Sequence, residues 1–122
     1  MTTDRSDLGK NLTAGISAHS AWKRRLRDAI QGGASIDPAV AERDDACELG
    51  KWLAANAQMR SDPNYGKVCE LHRSFHKEVG GILRESLAGG KEKAAQRLES
   101  GSPYTKISSE LVLAMAKWQR NA

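Results

Sequence analysis

Leu8, Leu12, Gly15, His19, Trp22, Leu26 and Ala29 recur at alternating steps of four and three. That spacing is the inward seam of a helix packed in a bundle. Ile16 and Ile30 widen the stripe, while Lys23, Arg24, Arg25 and Arg27 fall mostly on the outer face. Ser6 or Asp4 is expected to cap this first helix after a tail over residues 1–5, and Gly32-Gly33 to end it. A connection over 33–44 holds one short turn at Asp37-Pro38. Asp44 or Asp45 is then expected to cap a second helix, with Cys47 in its first turn. Ser61-Asp62-Pro63 opens a third helix over about 62–88. Its inward stripe is Tyr65, Val68, Cys69, His72, Phe75, His76, Val79 and Leu83, with a kink expected at Gly80-Gly81 and a stop at Gly89-Gly90. Lys91 to Glu99 reads as a short charged helix with a thin apolar face of Ala94, Ala95 and Leu98. Ser102-Pro103 starts a last helix with a seam of Tyr104, Ile107, Leu111, Ala114 and Trp118, flanked by Val112 and Met115. The pattern predicts an all-α domain over residues 1–122: an up-and-down four-helix bundle with one short or broken additional helix.

Composition adds to this picture. A chain of 122 residues can bury a core without staples, and its richness in Ala, Leu, Lys, Arg and Glu favours helix. A net charge of +4 permits an acidic partner without specifying one. The basic run Lys23 to Arg27 is a solvated face or a dock for such a partner. No nucleic-acid motif accompanies the charge. The N-terminus lacks an apolar signal core, and the longest apolar run, Leu111 to Ala116, falls far short of a membrane span. Two cysteines without a signal peptide fit a reducing compartment, so a cytoplasmic location is expected.

The chemistry gathers on polar residues in the seams. His72 and His76 are four apart, on one helical face. His19 lies mid-seam on the first helix. Buried imidazoles without partners are costly, so one shared ion would account for all three. With Cys47 they form a His3Cys set that suits tetrahedral zinc. At a helix start, free backbone N–H groups and the helix dipole are expected to favour the Cys47 thiolate, the form that binds metal or meets oxidants. Gly50 costs about 1 kcal/mol in a helix interior, which a close approach by another helix or by the site would explain. Four protein ligands leave no open position for a hydrolytic water, and Arg73 stands where a zinc protease carries its glutamate, so no enzyme is expected. Cys69 reads as a core filler, an alternative ligand or a resolving thiol. Trp22, Trp52 and Trp118 read as core or dimer-seam residues, and Phe75 as packing.

Three blocks carry a family resemblance: His19-Ser20-Ala21-Trp22-Lys23, Cys47-Glu48-Leu49-Gly50-Lys51-Trp52-Leu53 and His72-Arg73-Ser74-Phe75-His76. Together they resemble the signature of the bacterial chemoreceptor zinc-binding (CZB) domain, over about residues 12–118. The resemblance implies a helical bundle with His19, Cys47, His72 and His76 as zinc ligands. It also implies homodimerisation and a sensory role in chemotaxis or cyclic-di-GMP control, responding to zinc or to oxidation of Cys47. Family domains are usually attached to chemoreceptors or diguanylate cyclases. No such output fits in this length, so a signalling partner in trans is expected, with no nucleic acid and no membrane. The alternative is a structural-zinc interaction module without a sensing role.

Overall fold

Three prolines mark helix starts, each because a missing N–H costs nothing in the first turn. Asp37 accepts from the Ala39 N–H at 2.9 Å and Asp62 from the Asn64 N–H at 2.8 Å, each just before a proline. Ser102 Oγ accepts from the Thr105 N–H before Pro103. In a computed structural model describing residues 5–33 and 35–121, with side chains from Leu8 onward, the helices are α1 (Arg5–Ser20), α2 (Trp22–Ile30), α3 (Pro38–Ala41), α4 (Glu48–Ala55), α5 (Pro63–Leu87), α6 (Lys91–Gln96) and α7 (Pro103–Asn121). A short 3-10 turn, Ala57–Ser61, links α4 to α5. The described residues contain no strand.

The first predicted helix divides at Ala21, yet its path continues. Ala21 keeps helical dihedrals, its N–H donates to Ser17 and its carbonyl accepts from Arg25. Ser6 lies inside α1 rather than capping it, and Asp4 and the rest of the expected tail before Arg5 lie outside the described residues. The Gly-Gly pairs end α2 and α5 as expected. Gly32 and Gly89 turn to φ +85° and +96°, and the N–H groups of Gly33 and Gly90 reach back to Asp28 and Glu85. That left-handed closure is open to glycine at little steric cost.

Other expectations are corrected. Asp44 and Asp45 do not cap α4. They lie in a turn, and Cys47 is the cap, with extended dihedrals and its sulfur accepting from the Gly50 N–H at 3.4 Å. α5 runs unbroken through Gly80-Gly81, which make room for neighbours: a Cβ on Gly80 would lie 2.5 Å from Glu42 Cβ, and one on Gly81 would lie 3.0 Å from the Arg97 guanidinium. α6 stops at Gln96 and buries Ala94 but not Ala95, with Leu98 packed just beyond it. On α7 the buried line is Tyr104, Leu111, Met115 and Trp118, while Ile107 and Ala114 are only half-buried.

α5 is the central element. It packs against α2, α3, α4, α6, α7 and the 3-10 turn, while α1 packs against α4 and α7. Leu12, Leu26, Val68, Phe75, Val79, Ile82 and Leu111 have no measurable exposure and form one core. Arg97 fastens the end of α6 to α5 through Glu78 at 2.9 Å and Glu85 at 3.6 Å.

Candidate metal centre

His19 arrives from the last turn of α1, His72 and His76 from consecutive turns of α5, and Cys47 from the start of α4. The three histidines are each 1% exposed, and Cys47 is half-buried. Their Nε2 atoms face one another at 3.4 Å (His19 to His76), 3.1 Å (His19 to His72) and 3.0 Å (His72 to His76). Cys47 Sγ lies 3.2 Å from His72 Nε2 and 3.7 Å from His76 Nε2. All four ligand atoms fall within 4.8 Å of one another.

The backbone chooses the tautomers. His19 Nδ1–H donates to the Gly15 carbonyl at 2.7 Å, and His76 Nδ1–H to the Ala41 carbonyl at 2.8 Å. A carbonyl only accepts, so both Nδ1 atoms carry the proton and both Nε2 atoms present bare lone pairs. Two lone pairs 3.4 Å apart repel unless something electron-poor lies between them. Tetrahedral zinc, at ordinary bond lengths, separates two nitrogens by about 3.3 Å and a nitrogen from a sulfur by about 3.6 Å. The residues therefore fit the ion, and His19, Cys47, His72 and His76 could hold one zinc. A carbonyl on the far ring nitrogen is also the usual second partner of a metal-bound histidine.

Burial sets the charges of the free side chains. It pushes His19 down to about 4, helped by His76 and opposed by the Gly15 carbonyl. It pushes His72 down to about 2, reinforced by His76 and His19. His76 is lowered too, again mainly by burial, against the pull of the Ala41 carbonyl. All three are neutral at pH 7, as metal binding requires. For Cys47 the helix-start argument is corrected. Burial raises its thiol above the ordinary range, and the N–H groups of Gly50, Leu49 and Cys47 itself only partly offset that. The thiolate needs a cation, which a bound metal supplies.

Gly50 has a clear reason to be glycine. A Cβ there would lie 1.7 Å from the Asp44 carbonyl oxygen and 3.1 Å from Asp45 Cα. The close approach is made by the turn leading into Cys47, rather than by another helix. Aromatic rings wall the histidines: Phe75 meets His19 edge-on at 5.2 Å, and Trp22 meets His76 at 6.1 Å. Arg25 lies 3.8 Å over the Trp22 ring. A cleft of about 430 Å³ bordered by Trp22, Arg25, Ile36, Val40 and Arg43 opens onto Cys47 and His76. Cys69 is not gathered with the four and packs half-buried against the core. Trp52 and Trp118 pack together at 5.8 Å. Sequence reasoning missed the Gly15 and Ala41 carbonyls. The first carries a weak signal, a glycine one turn before the histidine, whereas any residue at position 41 would offer the same carbonyl.

Fold and site together define a class: all-helical domains whose core could hold a zinc ion. The family model of the chemoreceptor zinc-binding domain matches residues 19–83, beginning at His19 and spanning all four cluster residues. The chain belongs to this family of zinc-binding signalling domains. The matched stretch is narrower than the 12–118 of the sequence resemblance and leaves out α7. Comparisons with curated proteins and with solved structures return no match. Among the described residues no helix is long and apolar enough to cross a membrane.

Proposed function

We propose that this chain is a zinc-binding sensory module that reports zinc availability or oxidation of Cys47 to a signalling partner in trans. The ligands are His19, Cys47, His72 and His76. The observation that carries this reading is the convergence of three Nε2 atoms and one sulfur at spacings that suit one ion. Bound there, zinc supplies the positive charge that holds Cys47 as thiolate. With four protein ligands the coordination is closed, so the role is non-catalytic.

Cys47 is the responsive member because it alone is half-buried, caps a two-turn helix and borders the cleft. A peroxide-class oxidant would transfer one oxygen atom to the thiolate sulfur, leaving Cys47 as sulfenic acid and releasing hydroxide. The set would lose its anionic ligand, and α4 would loosen against α1 and α5. Residues 1–122 are taken as one domain. α1–α2, α4, α5 and α7 serve as the four arms of a bundle, a reading supported by the packing of α1 on α4, α4 on α5, α5 on α7 and α7 on α1. The partner is a chemoreceptor or diguanylate cyclase in a bacterial cytoplasm, and the module acts as a homodimer.

The near-complete burial of the three histidines favours one further reading, a structural zinc that stabilises an interaction module. One experiment separates the two. Reduced protein is loaded with one zinc per chain and treated with stoichiometric peroxide while a chromophoric chelator reports released metal. Release in wild type and none in Cys47→Ser supports sensing. Retention in wild type supports the structural reading. A chain that takes up no zinc overturns both.

A further inference from the structure

The α5 sequence places His76, Gly80 and Arg84 four residues apart, on one stripe of the helix. The end of α3 lies along that stripe, and each of the three meets it differently. His76 Nδ1–H donates to the Ala41 carbonyl at 2.8 Å. Gly80 lets Glu42 approach so closely that a Cβ there would lie 2.5 Å from Glu42 Cβ. Arg84 grips the Glu42 carboxylate with both arms of its guanidinium, Nη2 to Oε1 at 2.7 Å and Nη1 to Oε2. Asp37 and Pro38 fix the other end of α3.

We infer that Glu42 and Arg84 are positioning residues that hold the Ala41 carbonyl against His76 and so set how long the metal is retained. The inference rests on the zinc reading above. A carbonyl accepting from Nδ1 keeps the lone pair on Nε2 and aims the ring, and loss of such an outer partner typically costs 10–100-fold in metal affinity. Ala41 cannot be tested directly, because substitution leaves its carbonyl in place. Glu42 is the next residue, and its bidentate pair is the anchor that keeps that carbonyl in register. Exposed ion pairs contribute little to stability, and this one is partly exposed. The latch should therefore alter metal retention far more than melting temperature. The same connection runs on through Asp44, packed under Gly50, to Cys47. One segment thus carries a ligand and the group that orients another.

The test measures the zinc dissociation rate of the full chain by transfer to a chromophoric chelator. A second readout follows exchange of the His76 Nδ1 proton with water in the metal-free protein by NMR. Glu42→Gln and Arg84→Gln should each speed dissociation about tenfold, the low end of the effect of removing an outer partner. Both should also speed the proton exchange. Arg84→Lys, which keeps the charge but loses the fork, should fall between, and the exchanged pair E42R/R84E should recover part of the wild-type rate. Glu78→Gln breaks the comparable Arg97 pair that fastens α6 to α5 and should leave both readouts unchanged. Unchanged rates in the Glu42 and Arg84 variants, with helix content intact, overturn the inference. So does an equal acceleration in Glu78→Gln, which would mark a general loosening. Should a single variant lose helix content, Arg84→Lys and the exchanged pair decide. A wild-type chain that takes up no zinc overturns the zinc reading alone, and the proton-exchange readout still judges the latch.

Discussion

At the scale of the residue, protons govern the site. The folded pKa of His19 is lowered to about 4 and that of His72 to about 2, whereas the unfolded imidazole stays near 6.5. Below pH 6.5 the unfolded chain takes up protons that the folded metal-free chain refuses. Stability rises with pH wherever the unfolded state binds more protons. The metal-free protein should therefore be fully stable above about pH 7 and lose stability as pH falls from 6.5 towards 4. Denaturant titrations at a series of pH values would show this, and a flat profile across that window would contradict it. Zinc uptake by the folded chain near neutrality should release about one proton, from Cys47, since the imidazoles are already neutral. Calorimetry in two buffers of different ionisation heat counts it, and a value near four would mean that the three histidines are charged as well. Removing one ligand should be severe. Four-ligand sites bind with about 10–16 kcal/mol, so His76→Ala or Cys47→Ser should lose roughly 3 kcal/mol, about a hundredfold in affinity.

At the scale of the element, the turn from Asp44 to Cys47 and the helix α4 are locked together by the absence of a side chain. Gly50→Ala would place a methyl 1.7 Å from the Asp44 carbonyl oxygen. The turn would have to move, and Cys47 with it. We expect a loss of about 1–3 kcal/mol in stability, as for other overpacked sites, accompanied by at least a tenfold loss of zinc affinity. Gly66, on α5, offers the contrast, because a Cβ there meets nothing within 4 Å. Gly66→Ala should stabilise by up to about 1 kcal/mol through helix propensity and leave metal binding alone. Chemical denaturation with a parallel zinc titration checks both. If Gly50→Ala binds zinc like wild type, the close approach does not position Cys47.

At the scale of the whole molecule, an ion held by the cluster would join α1, α4 and α5, elements brought together from distant parts of the chain. A ligand that binds only the folded state stabilises it by an amount that grows with its concentration over its dissociation constant, about 4 kcal/mol at a thousandfold excess. Chelation should therefore lower the melting temperature by several degrees, and restored zinc should reverse the change. The Cys47→Ser protein should show a much smaller response at the same free zinc. Equal melting curves with and without chelator would mean that the core holds its histidines together unaided.

The helices, their proline starts and their Gly-Gly stops were legible in the sequence, because capping and periodicity are local properties of a few adjacent residues. So were the four side chains that the fold gathers into one cluster. Polar residues on apolar seams are rare, and here three imidazoles occupy such positions. The precise line of burial on α7 was less legible, since Met115 and Ala114 differ by one position and only the neighbouring helices decide which turns inward. The role of Cys47 as cap, the turn beneath Gly50 and the latch from Glu42 to Arg84 were not legible. Each depends on how a connection returns across α4 or α5, and backbone carbonyls such as that of Ala41 leave no trace in residue identity. By itself the sequence determined which side chains are candidates for the metal and on which helices they ride. Tertiary structure alone decided the tautomers of His19 and His76, the neutrality of the imidazoles and the spacing of the four ligand atoms, because burial and carbonyl partners exist only once the elements have packed.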